Sequence, residues 1–170
     1  MDSNGGEVGA MGGVSHFSTP HCMVASAQFT GLHRHNLDEK GRLTVPKVWR
    51  DVLPEGTTYL ATPQPDGYIV VLPPDGVAAL REKIQALQMG NAKAQAFTAR
   101  FFSQTQSFSY DAGGRVMLSD ELKKHAGITD KVVLVGTLTK FHIYSPERWA
   151  KEEEATAGEN FGTFMRELNL

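Results

Sequence analysis

From residue 28 onward the apolar positions fall into short alternating runs broken by Gly, Pro and Asp, which is the pattern of half-buried strands joined by tight turns. "FTGLHRHNL" leads into "DEKG", and "RLTV" leads out of it, predicting a hairpin about a turn at 38–41. Asp favours the start of such a turn because its carboxylate accepts from nearby backbone N–H groups, and Gly tolerates the positive φ that closes it. "KVWRDVL" follows, with Trp49, Val52 and Leu53 on one face at helical spacing. "TTYLA" and "YIVVL" bracket "TPQPDG" as a second hairpin. "DGVAALREKIQALQ" then reads as a helix, with Asp75 as N-cap and Val77, Leu80, Ile84 and Leu87 in one apolar stripe. "NAKAQAFTARFFSQTQ" is a linking helix over 91–106, carrying Phe97 and Phe101 on one face.

The same order then repeats. Ser119 caps "DELKKHA", with acids in the first turn, Lys123, Lys124 and His125 in the last, and Gly127 as terminator. "KVVLVGTL" and "KFHIY" form another hairpin, and Ser145-Pro146 opens a last helix. A shift of 73 residues lays the second set on the first: Asp38 falls on Asp111, Gly41 on Gly114 and Arg42 on Arg115. Without a gap, Leu43 meets Val116, Val45 meets Leu118, Trp49 meets Leu122, Leu60 meets Val133, Tyr68 meets Phe141, Val70 meets Ile143 and Pro73 meets Pro146. D-x-x-G-R alone recurs by chance; an apolar pattern held in register with it does not. The chain is an internal duplication, with units at 28–90 and 107–151.

Each unit is near the size at which a lone core becomes marginal. The expectation is therefore a pseudo-symmetric pair sharing one core, α+β and mainly β, with Phe97, Phe101, Phe141 and Trp149 inside it. Residues 1–27 are Gly/Ser-rich without periodicity and read as a disordered extension, in which Met11 and Met23 are alternative starts. Residues 152–170 read as an acidic tail.

Composition alters this picture little: 41% apolar and 21% charged residues are ordinary for a globular protein. No apolar run approaches the roughly 20 residues of a membrane span. No Lys or Arg precedes Arg34, so the basic start of a secretory signal is missing. The single cysteine, Cys22, has no internal partner, which fits the cytoplasm. Charge alters the picture more. The net value of −2 hides a basic stretch at 31–50, where Arg34, Lys40, Arg42, Lys47 and Arg50 outnumber Asp38 and Glu39. At 147–170, six acids stand against three bases. For nucleic acid the local field counts for more than the sum.

The candidate chemistry lies in the repeated turn. A hairpin turn with an ion pair across its mouth is the plain structural reading of one D-x-x-G-R. Both copies keep the arginine, however, while the two residues after Asp differ freely, and a turn does not need arginine as its first residue out. A two-stranded ribbon fits the major groove, and Arg bonds guanine O6 and N7 bidentately. Asp38 and Asp111 can hold their arginines, Arg42 and Arg115, in a fixed direction, and Lys40 is placed to meet phosphate. His33, Arg34 and His35 lead into the first turn and extend its basic character. His33 and His35 share one side of a strand, but no third ligand is identifiable, so they are read as phosphate-facing or exposed rather than as a metal site. His16, His21 and Cys22 in "HFSTPHC" are read as incidental, and the 152–154 glutamates as a solvated helix face. No nucleophile has an evident base and no Gly loop cradles phosphate. The reading is of a protein that is not an enzyme and needs no metal, cofactor, small-molecule substrate or membrane.

"NLDEKGRLTVPKVWR", "FFSQTQSFSYDAGGR", "KKHAGITDKVVLVG" and "KFHIYSPERW" resemble the MraZ family of bacterial transcription regulators over about residues 29–150, both halves in order. The resemblance implies a double swapped-hairpin, AbrB-like β-barrel with flanking helices. It implies ring-like homo-oligomers that bind short G-rich direct repeats in double-stranded promoter DNA, upstream of the division and cell-wall gene cluster, in a nucleoid-associated regulator. By position, the family's D-x-x-x-R residues are Asp38 with Arg42 and Asp111 with Arg115, and Lys40 matches the lysine usual in the first motif. Two departures stand out: "LPPDGVAAL" lacks the tryptophan expected after that strand, and Ser119 stands where the first unit has Pro46. A protein-interaction scaffold docking an acidic partner on the same hairpins is the alternative from another class. An antitoxin-like regulator is a nearer variant, although such chains usually carry one hairpin unit.

Overall fold

The computed structural model describes residues 28–88 and 92–168. The readings made for residues 1–27, including the extension, Met11, Met23, His16, His21 and Cys22, lie outside them. In chain order the elements are β1 (Leu32–Asn36), β2 (Arg42–Thr44), α1 (Lys47–Arg50), β3 (Tyr59–Gln64), β4 (Tyr68–Leu72), α2 (Pro74–Gln88) and α3 (Ala92–Ser103). After these come β5 (Gln106–Phe108), β6 (Arg115–Met117), α4 (Asp120–His125), β7 (Lys131–Gly136), β8 (Phe141–Tyr144), α5 (Pro146–Thr156) and α6 (Glu159–Glu167).

Six strands form one antiparallel sheet in the order β1-β7-β8-β4-β3-β5, and β2 with β6 forms a separate two-stranded ribbon. Two of the expected hairpins form as read, β3 with β4 and β7 with β8. The hairpin expected about residues 38–41 does not. β1 runs into that turn but pairs with β7 of the second unit, while β2, which leaves the turn, pairs with β6. In the same way β5 pairs with β3 of the first unit. Each half thus gives its first strand to the other half's sheet. No closed barrel results, because β1 and β5 remain as the two edges.

The register repeats the duplication residue by residue. Adding 73 to a β1 position and subtracting 73 from its β7 partner turns Arg34↔Val133 into Leu60↔Ser107, and His35↔Val132 into Tyr59↔Phe108; both pairs are present. In the ribbon Leu43 faces Val116, its own duplicate. The pseudo-twofold axis therefore passes between these two residues and through the β4–β8 junction.

One core spans both halves, as the size of each unit predicts. Leu43, Val45, Trp49, Ile69 and Val71 from the first half pack with Val116, Leu118, Leu122, Leu134 and Ile143 from the second. Trp49 is buried against Phe29 and Phe141, with ring centroids 5.9 and 5.1 Å away, and its indole N–H donates to the Thr30 carbonyl at 2.9 Å. Ser119 and Ser145 cap α4 and α5 as expected, each hydroxyl accepting from a backbone N–H three residues on.

Three expectations need correction. α2 opens at Pro74, so Asp75 lies in its first turn rather than at the cap. Pro has no N–H to lose there, and its fixed φ suits a helix start. Of the aromatic residues placed in the core, Phe141 is fully buried and Trp149 partly so, but Phe97 is 73% exposed. α3 packs on α2 rather than on the sheet, so its apolar face has too little surface to bury against; Leu87 at the end of α2 is likewise exposed. The helix opened by Ser145-Pro146 is not the last, since α6 follows it and gives the acidic segment regular structure.

Candidate nucleic-acid interface

The two D-x-x-G-R turns adopt one geometry. In the first, the Asp38 backbone N–H donates to the Arg42 carbonyl at 2.9 Å and the Gly41 N–H to the Asp38 carbonyl at 2.8 Å. One carboxylate oxygen of Asp38 accepts from the N–H groups of Lys40 and Arg42, both at 2.9 Å; the other accepts from Arg42 Nε at 2.7 Å. The second turn repeats this. Asp111 accepts from the N–H groups of Gly113 and Arg115 at 2.9 Å, and from Arg115 Nε at 2.9 Å. Gly41 and Gly114 both sit at φ +72°, in the left-handed region that any side chain would strain. In each turn the backbone N–H of the arginine is the largest cause holding the aspartate below its ordinary pKa, and the guanidinium adds to it.

Because β2 and β6 pair antiparallel, with Arg42 opposite Met117 and Arg115 opposite Thr44, the turns enter the ribbon from its two ends and the arginines lie diagonally across it. The Val45 N–H donates to the Gly114 carbonyl at 2.9 Å, and Arg42 Nη1 lies 3.8 Å from the Asp111 carboxylate. Asp111 is therefore shared by both arginines. Each Nε is taken by an aspartate, and the Arg42 and Arg115 side chains remain 24% and 39% exposed.

Two further cations complete this face, and both escaped the sequence reading as site residues. Arg50, at the end of α1, donates from Nε to the Val45 carbonyl at 3.0 Å and covers the second turn. A Cβ on Gly114 would lie 2.2 Å from its guanidinium carbon. Lys123 of α4 takes the matching place over the first turn, its Nζ 3.5 Å from where a Gly41 Cβ would lie, and pairs with Asp120 at 2.8 Å. Arg50 and Lys123 are duplicates under the same 73-residue shift, which is the signal that would have found them.

The remaining candidates lie on β1 and divide by its alternation. His33 and His35 face the ribbon side, with rings 6.4 Å apart, and His33 meets the Trp49 edge at 5.0 Å. Partial burial, and then the neighbouring His33, lower the His35 pKa. Arg34 points the other way, 3.6 Å from Glu153 of α5, so it is not brought to the turns. Lys40 is exposed at the tip of the first turn. Among the described residues no three His, Cys, Asp or Glu side chains stand together as a metal group, and no helix is long and apolar enough to cross a membrane.

Chemically, the face offers two fixed guanidinium edges, with a lysine at one tip and two more cations behind. Ground-state positioning of Arg by carboxylate and backbone reduces the entropy lost when it meets a planar acceptor.

Residues 101–167 match the family described as "MraZ protein, putative antitoxin-like". The chain is similar to the transcriptional regulator MraZ of Heliobacterium modesticaldum, 36% identical over 129 residues, covering 76% of this chain and 89% of that protein. It is similar to those of Clostridium acetobutylicum (33% identical, 84% and 99% covered) and Moorella thermoacetica (35% identical, 71% and 83% covered).

Proposed function

The chain belongs to the MraZ family, and on that premise we propose that it is a DNA-binding transcriptional regulator, not an enzyme, whose paired turns read the major groove. Arg42 and Arg115 contact guanine, Lys40 contacts phosphate, and Asp38 and Asp111 aim the arginines. The observation that carries this reading is the repeated turn itself: two arginines, each fixed through Nε, set diagonally across one ribbon. A turn alone does not require an arginine as its first residue out, yet both copies keep one and leave it part-exposed.

The finer reading follows the family. The exchange of β1 and β5 between halves supports reading the fold as a double swapped-hairpin arrangement. The ligand is a series of short G-rich direct repeats in the promoter of the division and cell-wall gene cluster, bound by a ring-like homo-oligomer in the nucleoid. One chain presents a single paired face, so one repeat is held weakly at cellular salt. Neighbouring subunits in a ring make the later contacts intramolecular and raise their effective concentration.

Binding titrations on labelled duplexes test this. Arg42→Ala should lose ~1–3 kcal/mol on a cognate repeat and relax base preference. Lys40→Ala should weaken all duplexes and flatten the salt slope by ~1. An Arg42→Ala protein that folds and keeps full cognate affinity would remove the base-reading role.

A further inference from the structure

The ribbon that holds the two arginines carries two more side chains on the same face. Alternation along each strand sends Leu43 and Val116 into the core and leaves their neighbours on the outer side. Residues opposite each other in an antiparallel pair share a face, so Arg42 stands with Met117, and Thr44 with Arg115. These four form a small square. The arginines hold one diagonal, and Thr44 and Met117 hold the other, being duplicates of each other under the 73-residue shift.

On that second diagonal the two halves differ. Thr44 is half-buried and offers a hydroxyl and one methyl group, whereas Met117 is apolar and 51% exposed. Among the described residues, no other large apolar side chain of β2 or β6 is exposed. The end of β6 is also fixed in a way that β2 cannot copy. The Gln106 side chain donates to the Met117 carbonyl and accepts from the Ser119 N–H, both at 2.7 Å, clasping the strand end. In the first half Pro46 stands in place of Ser119 and has no N–H to give.

A single exposed apolar residue is ordinary on a protein surface. One held at a fixed place beside a guanine-reading arginine has a partner within reach. Directly opposed side chains leave a ribbon about 4.5–5.5 Å apart, close to the ~3.4 Å step between neighbouring bases. In the major groove an apolar side chain recognises thymine by its C5-methyl group, which cytosine lacks. We propose that Met117 is a specificity-determining residue, packing on the methyl group of a thymine next to the guanine that Arg42 contacts. Thr44, shorter and half-buried, makes no such contact beside Arg115. The reading face is then lopsided although its two turns are alike, and it takes a site in one direction only. Direct repeats present their sites in one direction; inverted repeats do not. This rests on the DNA reading of the paired turns and deepens it.

The probes are labelled duplexes with three direct repeats, each a run of two or three guanines flanked on both sides by T·A or A·T pairs. Each duplex is made with thymine and again with uracil at one flank or the other, which removes only the methyl group. The parent protein should lose about fourfold in affinity when uracil replaces thymine at one flank, and nothing at the other. Met117→Ser, with folding checked by its melting curve, should bind the thymine and uracil duplexes equally. Met117→Leu should keep the parental preference. A change in fold or overall affinity would not by itself erase the methyl dependence, so the comparison isolates the contact. A parent protein indifferent to uracil at both flanks, or equally sensitive at both, overturns the proposal. So does a Met117→Ser protein that discriminates as the parent does. Arg42→Ala on the same duplexes keeps the two claims apart. If the parent needs Arg42 for guanine runs but ignores the methyl groups, the Met117 role fails and the DNA reading stands. If the parent binds none of the duplexes, both fail.

Discussion

Asp111 is the residue on which the two turns most depend. Asp38 serves its own arginine, whereas Asp111 accepts from Arg115 at 2.9 Å and stands 3.8 Å from Arg42. Asp111→Asn should therefore weaken DNA binding more than Asp38→Asn, because it loosens both guanidinium groups; matched titrations on one duplex decide this. Acid should act on both turns together. Each aspartate is held below the ordinary value of 3.8, so the ordering it gives its turn is complete above that value and is lost as pH falls through the lower, folded-state pKa. Carboxylate carbon shifts of Asp38 and Asp111 should stay those of the ionised form at pH 4, where an unperturbed aspartate is already titrating. His142 behaves in the opposite sense. Burial and then nearby Lys140 lower its pKa to about 4, so the native state keeps it neutral while the unfolded chain protonates it below about 6.5. Between those values stability should fall as pH falls. His142→Phe should flatten that part of the melting-temperature profile.

At the scale of elements, the two halves are alike in plan and unlike in detail. α4 begins with a hydroxyl cap from Ser119, while α1 follows Pro46 with no side-chain cap. Ser119→Ala should cost about 1 kcal/mol, read from denaturant unfolding, and Pro46→Ala should not cost a cap at all. Trp49→Ala should cost ~3–5 kcal/mol, since the indole fills the space between Phe29 and Phe141. Strand and helix positions were largely legible in the sequence because alternation, Gly and Ser-Pro signals are local. Partner choice was not. "HRHNLDEKGRLTV" spells a hairpin in any short window, and only the burial available in the other half draws β1 to β7. The turns were legible as a site because the arginine recurs where a turn does not require it. Arg50 and Lys123 were not, since a cation at the end of a short helix has an ordinary explanation in the helix dipole. Phe97 misled because periodicity reports that a face is apolar, not that something covers it.

For the whole molecule, the exchange means that neither half owns a complete sheet. A chain of residues 28–90 lacks β7 for its β1 and β5 for its β3. Expressed alone it should be unfolded, or fold only as a concentration-dependent pair in which a second copy stands in for the missing half. Sedimentation over a dilution series separates these from a stable folded monomer, which would contradict the shared core. On DNA, affinity should rise steeply from one repeat to three and fall when half a helical turn is inserted between repeats, because B-DNA turns each site toward or away from a ring about every 10 base pairs. Equal affinity for one and three repeats would mean that each chain acts alone.

The pairing of Arg34 with Val133 also sets a clock on synthesis. Translation delivers β1 early, yet β7, its partner strand among the described residues, emerges near the end of the chain. Until then the nascent protein shows unpaired strand edges and half a core, the state most open to proteases and to aberrant pairing between neighbouring polysomal chains. Ribosome-tethered fragments ending before Lys131 should be digested readily, and those with β8 beyond the exit tunnel should abruptly resist.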